Sequence, residues 1–253
     1  MTLDALLPES ISALAAASVV AASFFTALLT AAFGLGGGLV LLAAMSVALP
    51  PAAVIPIHGV AQFGANFSRL ALLRKHVVWP IIIWFAGGGA IGAFLGAQLY
   101  LDLPSWALRA GVAAFILFMV WGPKPKSFAP GPRTFFGVGA VGGLLTMFFG
   151  ATGPLAASML SATDHDRLGT VSTHAAAMVA QHGLKSIAFG AIGFAFGPWA
   201  AIIIGIILAG FAGSWVGTRI LHRMPEAQFQ KGFRFVLTAI ALYLAALSLR
   251  EAL

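Results

Sequence analysis

His58 and His174 stand 116 residues apart, and each heads a stripe of polar side chains. His58, Gln62, Asn66 and Arg69 are spaced four, four and three apart, which puts them on one face of a helix. His174, Met178, His182 and Lys185 repeat that spacing. Imidazole can donate a hydrogen bond to an anion and can take up a proton near neutral pH. Polar side chains facing lipid are costly, so both stripes are expected to face the protein interior or a wet cavity. The alternative for a single histidine is a hydrogen bond that glues two helices. The pairing of two through a repeat favours a binding site. Gln62, Asn66 and His182 either line a path or glue helices. Arg69 and Lys185, near span ends, are expected to snorkel to the interface.

Upstream of each stripe lies a break. Phe33-Gly34-Leu35-Gly36-Gly37-Gly38-Leu39 is matched, at the same offset, by Phe149-Gly150-Ala151-Thr152-Gly153-Pro154-Leu155. A glycine costs about 0.5–1 kcal/mol in a helix interior relative to alanine. The runs are therefore expected to unwind the chain and restart a short helix. Pro154 suits a first helical position. A helix start offers free N–H groups and the positive dipole end, which is an anion site. The candidate binding residues are thus Gly34, Gly36, Gly37, Gly38, His58, Gln62 and Asn66, with Gly150, Thr152, Gly153, His174 and His182 from the second half. The alternative for the glycines is tight helix crossing. That is the expected role of Gly92 and Gly96, which recur as Gly213 and Gly217 at an offset of 121.

The acids inform by their positions. The seven are Asp4, Glu9, Asp102, Asp164, Asp166, Glu226 and Glu251, all in expected loops or at span ends. No carboxylate is placed to carry a proton or sodium in mid-membrane, and a cationic substrate would lack its counter-charge. The interior is neutral to positive, which suits a small anionic substrate. Any proton coupling rests on the histidines or the substrate. Asp164-His165-Asp166-Arg167 reads as a turn and helix cap for a segment starting near Leu168, and no metal site or cofactor is expected. There is no cysteine, no Gly-Lys-Ser/Thr phosphate loop and no Gly-x-Ser-x-Gly, so no enzyme is expected.

Hydrophobic residues make up 60% of the chain and charged residues 8%. A soluble domain carries about 25% charged residues, so the chain is read as an integral membrane protein in the lipid bilayer. Long alternating runs are missing, which argues for helices over a barrel. The first basic residue is Arg69, so the N-terminus is not expected to be a cleavable signal. The pI of about 10.6 reflects basic loops, not a nucleic-acid surface.

The fold expected is an all-α membrane protein of about ten hydrophobic segments in two inverted repeats, each with a glycine-broken short helix. The first repeat, 1–121, carries segments at roughly 10–33, 38–49, 51–73, 77–100 and 104–121. A cytoplasmic linker, 122–133, follows. The second repeat, 134–253, carries segments at roughly 134–149, 154–163, 168–188, 196–221 and 226–248. Segments 38–49 and 154–163 either cross on a tilt or are re-entrant. Five crossings per repeat with the N-terminus outside put eleven Lys and Arg near the cytoplasm and three outside, in keeping with the positive-inside rule. Four crossings per half, in parallel repeats, give a poorer asymmetry.

The breaks at Phe33–Gly38 and Phe149–Pro154, with Pro56-Ile57-His58 in the next span, resemble the TauE/SafE sulfite exporter family over essentially the whole chain. Thr152 and Pro154 depart from the glycines at 36 and 38. The resemblance implies a secondary transporter, exporting sulfite, an organosulfonate or a similar anion by alternating access, in the bacterial cytoplasmic (inner) membrane. The substrate would sit between the two breaks, with His58 and His174 as donors. A passive anion channel and a carrier of another small organic anion are the rival readings. Which anion, which direction, which coupling ion and which oligomeric state stay open at this stage.

Overall fold

The computed structural model describes residues 7–33, 37–100, 104–122, 130–150, 152–220 and 226–252. Among them are ten α-helices and no strand. In chain order they are α1 (Ala13–Phe33), α2 (Gly37–Ala48), α3 (Pro51–Leu73), α4 (Trp79–Tyr100), α5 (Ser105–Trp121), α6 (Thr134–Phe149), α7 (Gly153–Leu160), α8 (Arg167–Ala191), α9 (Ala200–Ile220) and α10 (Glu226–Ala252). Stretches Ala13–Thr30, Trp79–Tyr100 and Gly197–Gly217 are long and apolar enough to cross a membrane. Large apolar side chains such as Ile83, Phe94, Ile187, Leu208 and Phe211 are exposed, the surface a helical body turns to lipid tails. Helices α2 and α7 have 12 and 8 residues. At 1.5 Å per residue they are roughly 18 and 12 Å long, too short to cross about 30 Å of hydrocarbon alone.

Two compact units form, and they cut across the sequence halves. The first holds residues 1–61, 104–122 and 195–253; the second holds 62–103 and 123–194. Helix α3 runs through both, dividing after Ala61.

In the first unit α1 lies along α9, α5 along α10, and α2 against α1. Gly213 meets the Phe24 carbonyl so closely that a Cβ there would collide with it. Ser23 Oγ donates to the Ile206 carbonyl at 2.8 Å. Along α5 and α10, Ser248 Oγ donates to the Trp106 carbonyl at 2.7 Å, and Arg109 pairs with Glu251 at 3.1 Å.

In the second unit α4 lies along α6, and α8 packs on α4, α6 and α7. Gly88 and Gly92 abut the carbonyls of Phe136 and Ala140, while Gly139 and Gly143 abut those of Phe85 and Gly89. Four positions without side chains let the two backbones touch, the packing mode available where lipid removes any hydrophobic drive between helices. Ile81, Phe85, Phe135, Leu160 and Ala177 close an apolar core around this seam.

The two seams correspond. Gly92 approaches Ala140 and Gly213 approaches Phe24. An offset of 121 takes 92 to 213, and an offset of 116 takes 24 to 140. One close backbone contact in each unit is therefore made by the same pair of repeat-related positions. In each unit, one partner comes from either sequence half.

Gly92→Leu and Gly213→Leu each drive a side chain into a carbonyl, and each is expected to cost about 3 kcal/mol, the upper end of ordinary overpacking. Gly137→Leu is the control, since nothing lies within 4 Å of a Cβ there. Thermal unfolding in detergent reads the difference: the first two lower the midpoint by several degrees, and the third leaves it in place.

Candidate functional site

Helix α6 ends at Phe149, and Gly150 takes a φ of 76°, which favours glycine. Its N–H still bonds back to the Thr146 carbonyl at 3.1 Å. The helical path then stops, and α7 starts three residues on at Gly153, with Pro154 in its first turn. A break of this kind frees carbonyls at the end of α6 and N–H groups at the start of α7. Side chains meet the carbonyl of Gly150 and brace the backbone on either side of it.

The Gly150 carbonyl accepts from Lys185 Nζ at 3.0 Å and from Thr146 Oγ1 at 3.2 Å. Thr152 Oγ1 accepts from Gln181 Nε2 at 2.6 Å and donates to the Gly142 carbonyl at 3.3 Å. His174 Nε2 lies 3.2 Å from the Gly153 carbonyl. A carbonyl only accepts, so this nitrogen carries the proton. Thr146, Thr152, Gln181 and Lys185 are all at most 1% exposed. Helix α8 thus lays one stripe, His174, Gln181 and Lys185, along the break.

The first unit repeats one part of this. His58 is fully buried, and its Nε2 lies 2.9 Å from the Gly38 carbonyl, in the first turn of α2. Both repeat-related histidines therefore hold the first turn of a short helix through the same nitrogen. Gly37 packs against α1 so tightly that a Cβ would strike the Thr26 carbonyl and Thr30. Gly34 and Gly36 lie outside the described residues. Gly153 has no such need, since a Cβ there would be 3.4 Å from Met178 Sδ.

The remaining candidates are placed differently. Asn66 Nδ2 donates to the Gln62 carbonyl at 2.8 Å, a bond within α3. His182 is buried on α8, and its carbonyl accepts from Ser186 Oγ at 2.9 Å. The Asp166 cap is borne out, because its carboxylate accepts from Gly169 N–H at 2.7 Å at the start of α8.

Two points depart from expectation. Lys185 does not snorkel. Helix α8 continues to Ala191, so Lys185 stands six residues short of its end and turns inward to Gly150. Gln181 was missed because its repeat-related position is Ala65, which has no polar side chain. The spacing 174, 178, 181, 185 would have found it, as the steps of four, three and four track one helix face.

The helices and their lipid-facing apolar surface define a multi-pass membrane protein with a buried polar stripe. The family model for Sulfite exporter TauE/SafE matches residues 19–244, and the chain belongs to that family of membrane transporters. No curated protein matches the chain, and no solved structure does.

Thr152→Val keeps the shape of the side chain and strips the hydroxyl between Gln181 and Gly142. It strands a buried amide, which costs about 1–3 kcal/mol. Thr152→Ser keeps the hydroxyl and should cost less. Chemical unfolding of the two variants in detergent measures the gap.

Proposed function

We propose that this protein exports a small sulfur-containing oxyanion, sulfite or an organosulfonate, by alternating access of two inverted repeats. Family membership supports the substrate class. The observation that carries the reading is the histidine pair: one imidazole anchors the first turn of α2 and its repeat mate anchors the first turn of α7. Short helices held by their first turns present N–H groups and positive dipole ends in fixed positions. An anion leaving water exchanges its hydration shell for those dipoles without reorganising them.

His58 and His174 act in this reading as positioning groups, and each gains a second donor when protonated. Gly37, Gly38, Thr152 and Gly153 supply backbone around the helix starts, with Gly150 at the end of α6; Gly34 and Gly36 join the proposed set on the sequence alone. Gln62, Asn66 and His182 shape the polar face along which the anion moves. The linker 122–133 lies on the cytoplasmic side, opposite the termini.

Labelled sulfite and methanesulfonate in proteoliposomes test the activity. Wild-type protein should show counterflow, with label accumulating against an unlabelled internal pool. Downhill flux without counterflow would make it a channel. His58→Ala and His174→Ala should each lower flux about tenfold or more at equal amounts of folded protein. His174→Gln, which keeps a donor for the Gly153 carbonyl, should recover part of it; normal flux in both alanine variants removes the histidines from the site.

Orientation has its own test, made clean by the absence of native cysteine. Ser10→Cys should react with an impermeant maleimide from one side of the membrane and Gly131→Cys from the other. Reaction of both from the same side would favour parallel halves with re-entrant short helices.

A further inference from the structure

We infer that Lys185 is the counter-charge for the transported oxyanion, the ammonium that pairs with it inside the second unit. The inference rests on the transport reading above.

Lys185 is fully buried, and among the described residues its ammonium is held by an uncharged carbonyl, that of Gly150 at 3.0 Å. An ammonium carries three donors, so two remain for another acceptor. No carboxylate pairs with it among the described residues. The described acids of this unit, Asp164 and Asp166, are exposed in the loop before α8. Asp166 is 19 residues from Lys185, roughly 28 Å along the helix axis.

A buried charge without an opposite partner is expensive. The Gly150 carbonyl and the negative end of the α6 dipole offset part of that cost. They supply no full charge. The unit also carries Arg69, half-buried on α3 and likewise without a carboxylate partner among the described residues. The polar interior is therefore short of negative charge, which a small oxyanion supplies. Around Lys185 the break offers further polar groups. Thr152 is buried there, and Gln181, 1% exposed, has no hydrogen-bond partner for its Oε1 among the described residues.

The structural alternative is that Lys185 only caps the C-terminal end of α6. The two roles separate in Lys185→Met, which keeps the length of the side chain and removes the charge. Thermal unfolding of detergent-purified protein is followed with sulfite, methanesulfonate and the neutral isostere dimethyl sulfone. A ligand that binds the folded state raises the midpoint. Wild type should respond to the two anions and not to the sulfone. Lys185→Met should unfold at or above the wild-type midpoint without ligand, since an uncompensated charge has been removed. It should need about tenfold or more anion for the same shift. Lys185→Arg should keep the anion response, and Lys185→Gln, which retains a donor for Gly150, should lose it.

A Lys185→Met or Lys185→Gln protein with the wild-type anion response overturns the inference and leaves the transport reading intact. A lowered ligand-free midpoint with an unchanged anion response assigns Lys185 to capping alone. A wild-type protein that answers neither anion overturns the transport reading and this inference together. Should Lys185→Met fail to fold, the Gln and Arg variants decide the matter by the same comparison.

Discussion

A helix that stops inside an apolar chain leaves backbone groups that water cannot reach, and this structure is arranged around meeting them. At the end of α6 the Gly150 carbonyl is met by Lys185 and Thr146. In the first turns of α7 and α2 the orphan groups are N–H groups; there His174 and His58 give the Gly153 and Gly38 carbonyls an added hydrogen bond that ties each short helix to the long one after it. Each donor except Thr146 comes from the long helix that follows the short one, α3 or α8. Polar residues on those two helices are costly in lipid.

The same constraint explains where the glycines fall. Glycine at 150 allows the positive φ that turns the chain out of α6. Glycine at 88, 92, 139 and 143 does something different: it brings α4 and α6 into backbone contact. That seam fixes α6, hence the position of its last carbonyl, hence the point that Lys185 must reach. Packing between apolar helices and polar chemistry at the break are thus linked through one rigid element. A shift of the seam would move Gly150 away from its lysine.

Charge completes the picture. The second unit holds its polar groups at the break with no acid beside them among the described residues. A structural network inside lipid would be expected to balance a buried ammonium with a carboxylate, because an unpaired charge there is unfavourable. A transporter of anions gains from leaving that balance incomplete. The substrate then supplies the missing sign only while it is bound, and its differential affinity can bias one conformation over another.

The amino-acid order alone settled the helices. Segments read at 51–73 and 134–149 coincide with α3 and α6, and α2, α4 and α5 fall within two residues of their expected bounds, because long apolar runs closed by Gly, Pro and polar clusters leave little choice. It also pointed to the stop at Gly150 and to the paired histidines, since an internal repeat makes two weak signals corroborate each other. Tertiary structure decided which side chain meets which carbonyl. Lys185 looked like an interface residue by its place near a span end, and it became a buried donor because Gly150 lies within its reach. Gln181 had no repeat mate to mark it. The compact units, too, exchange helices between the sequence halves, since Gly92 finds its closest partner in α6 and Gly213 finds its own in α1. Local pattern specifies where a helix begins and ends, whereas partner choice depends on distances that exist only once the backbones have packed.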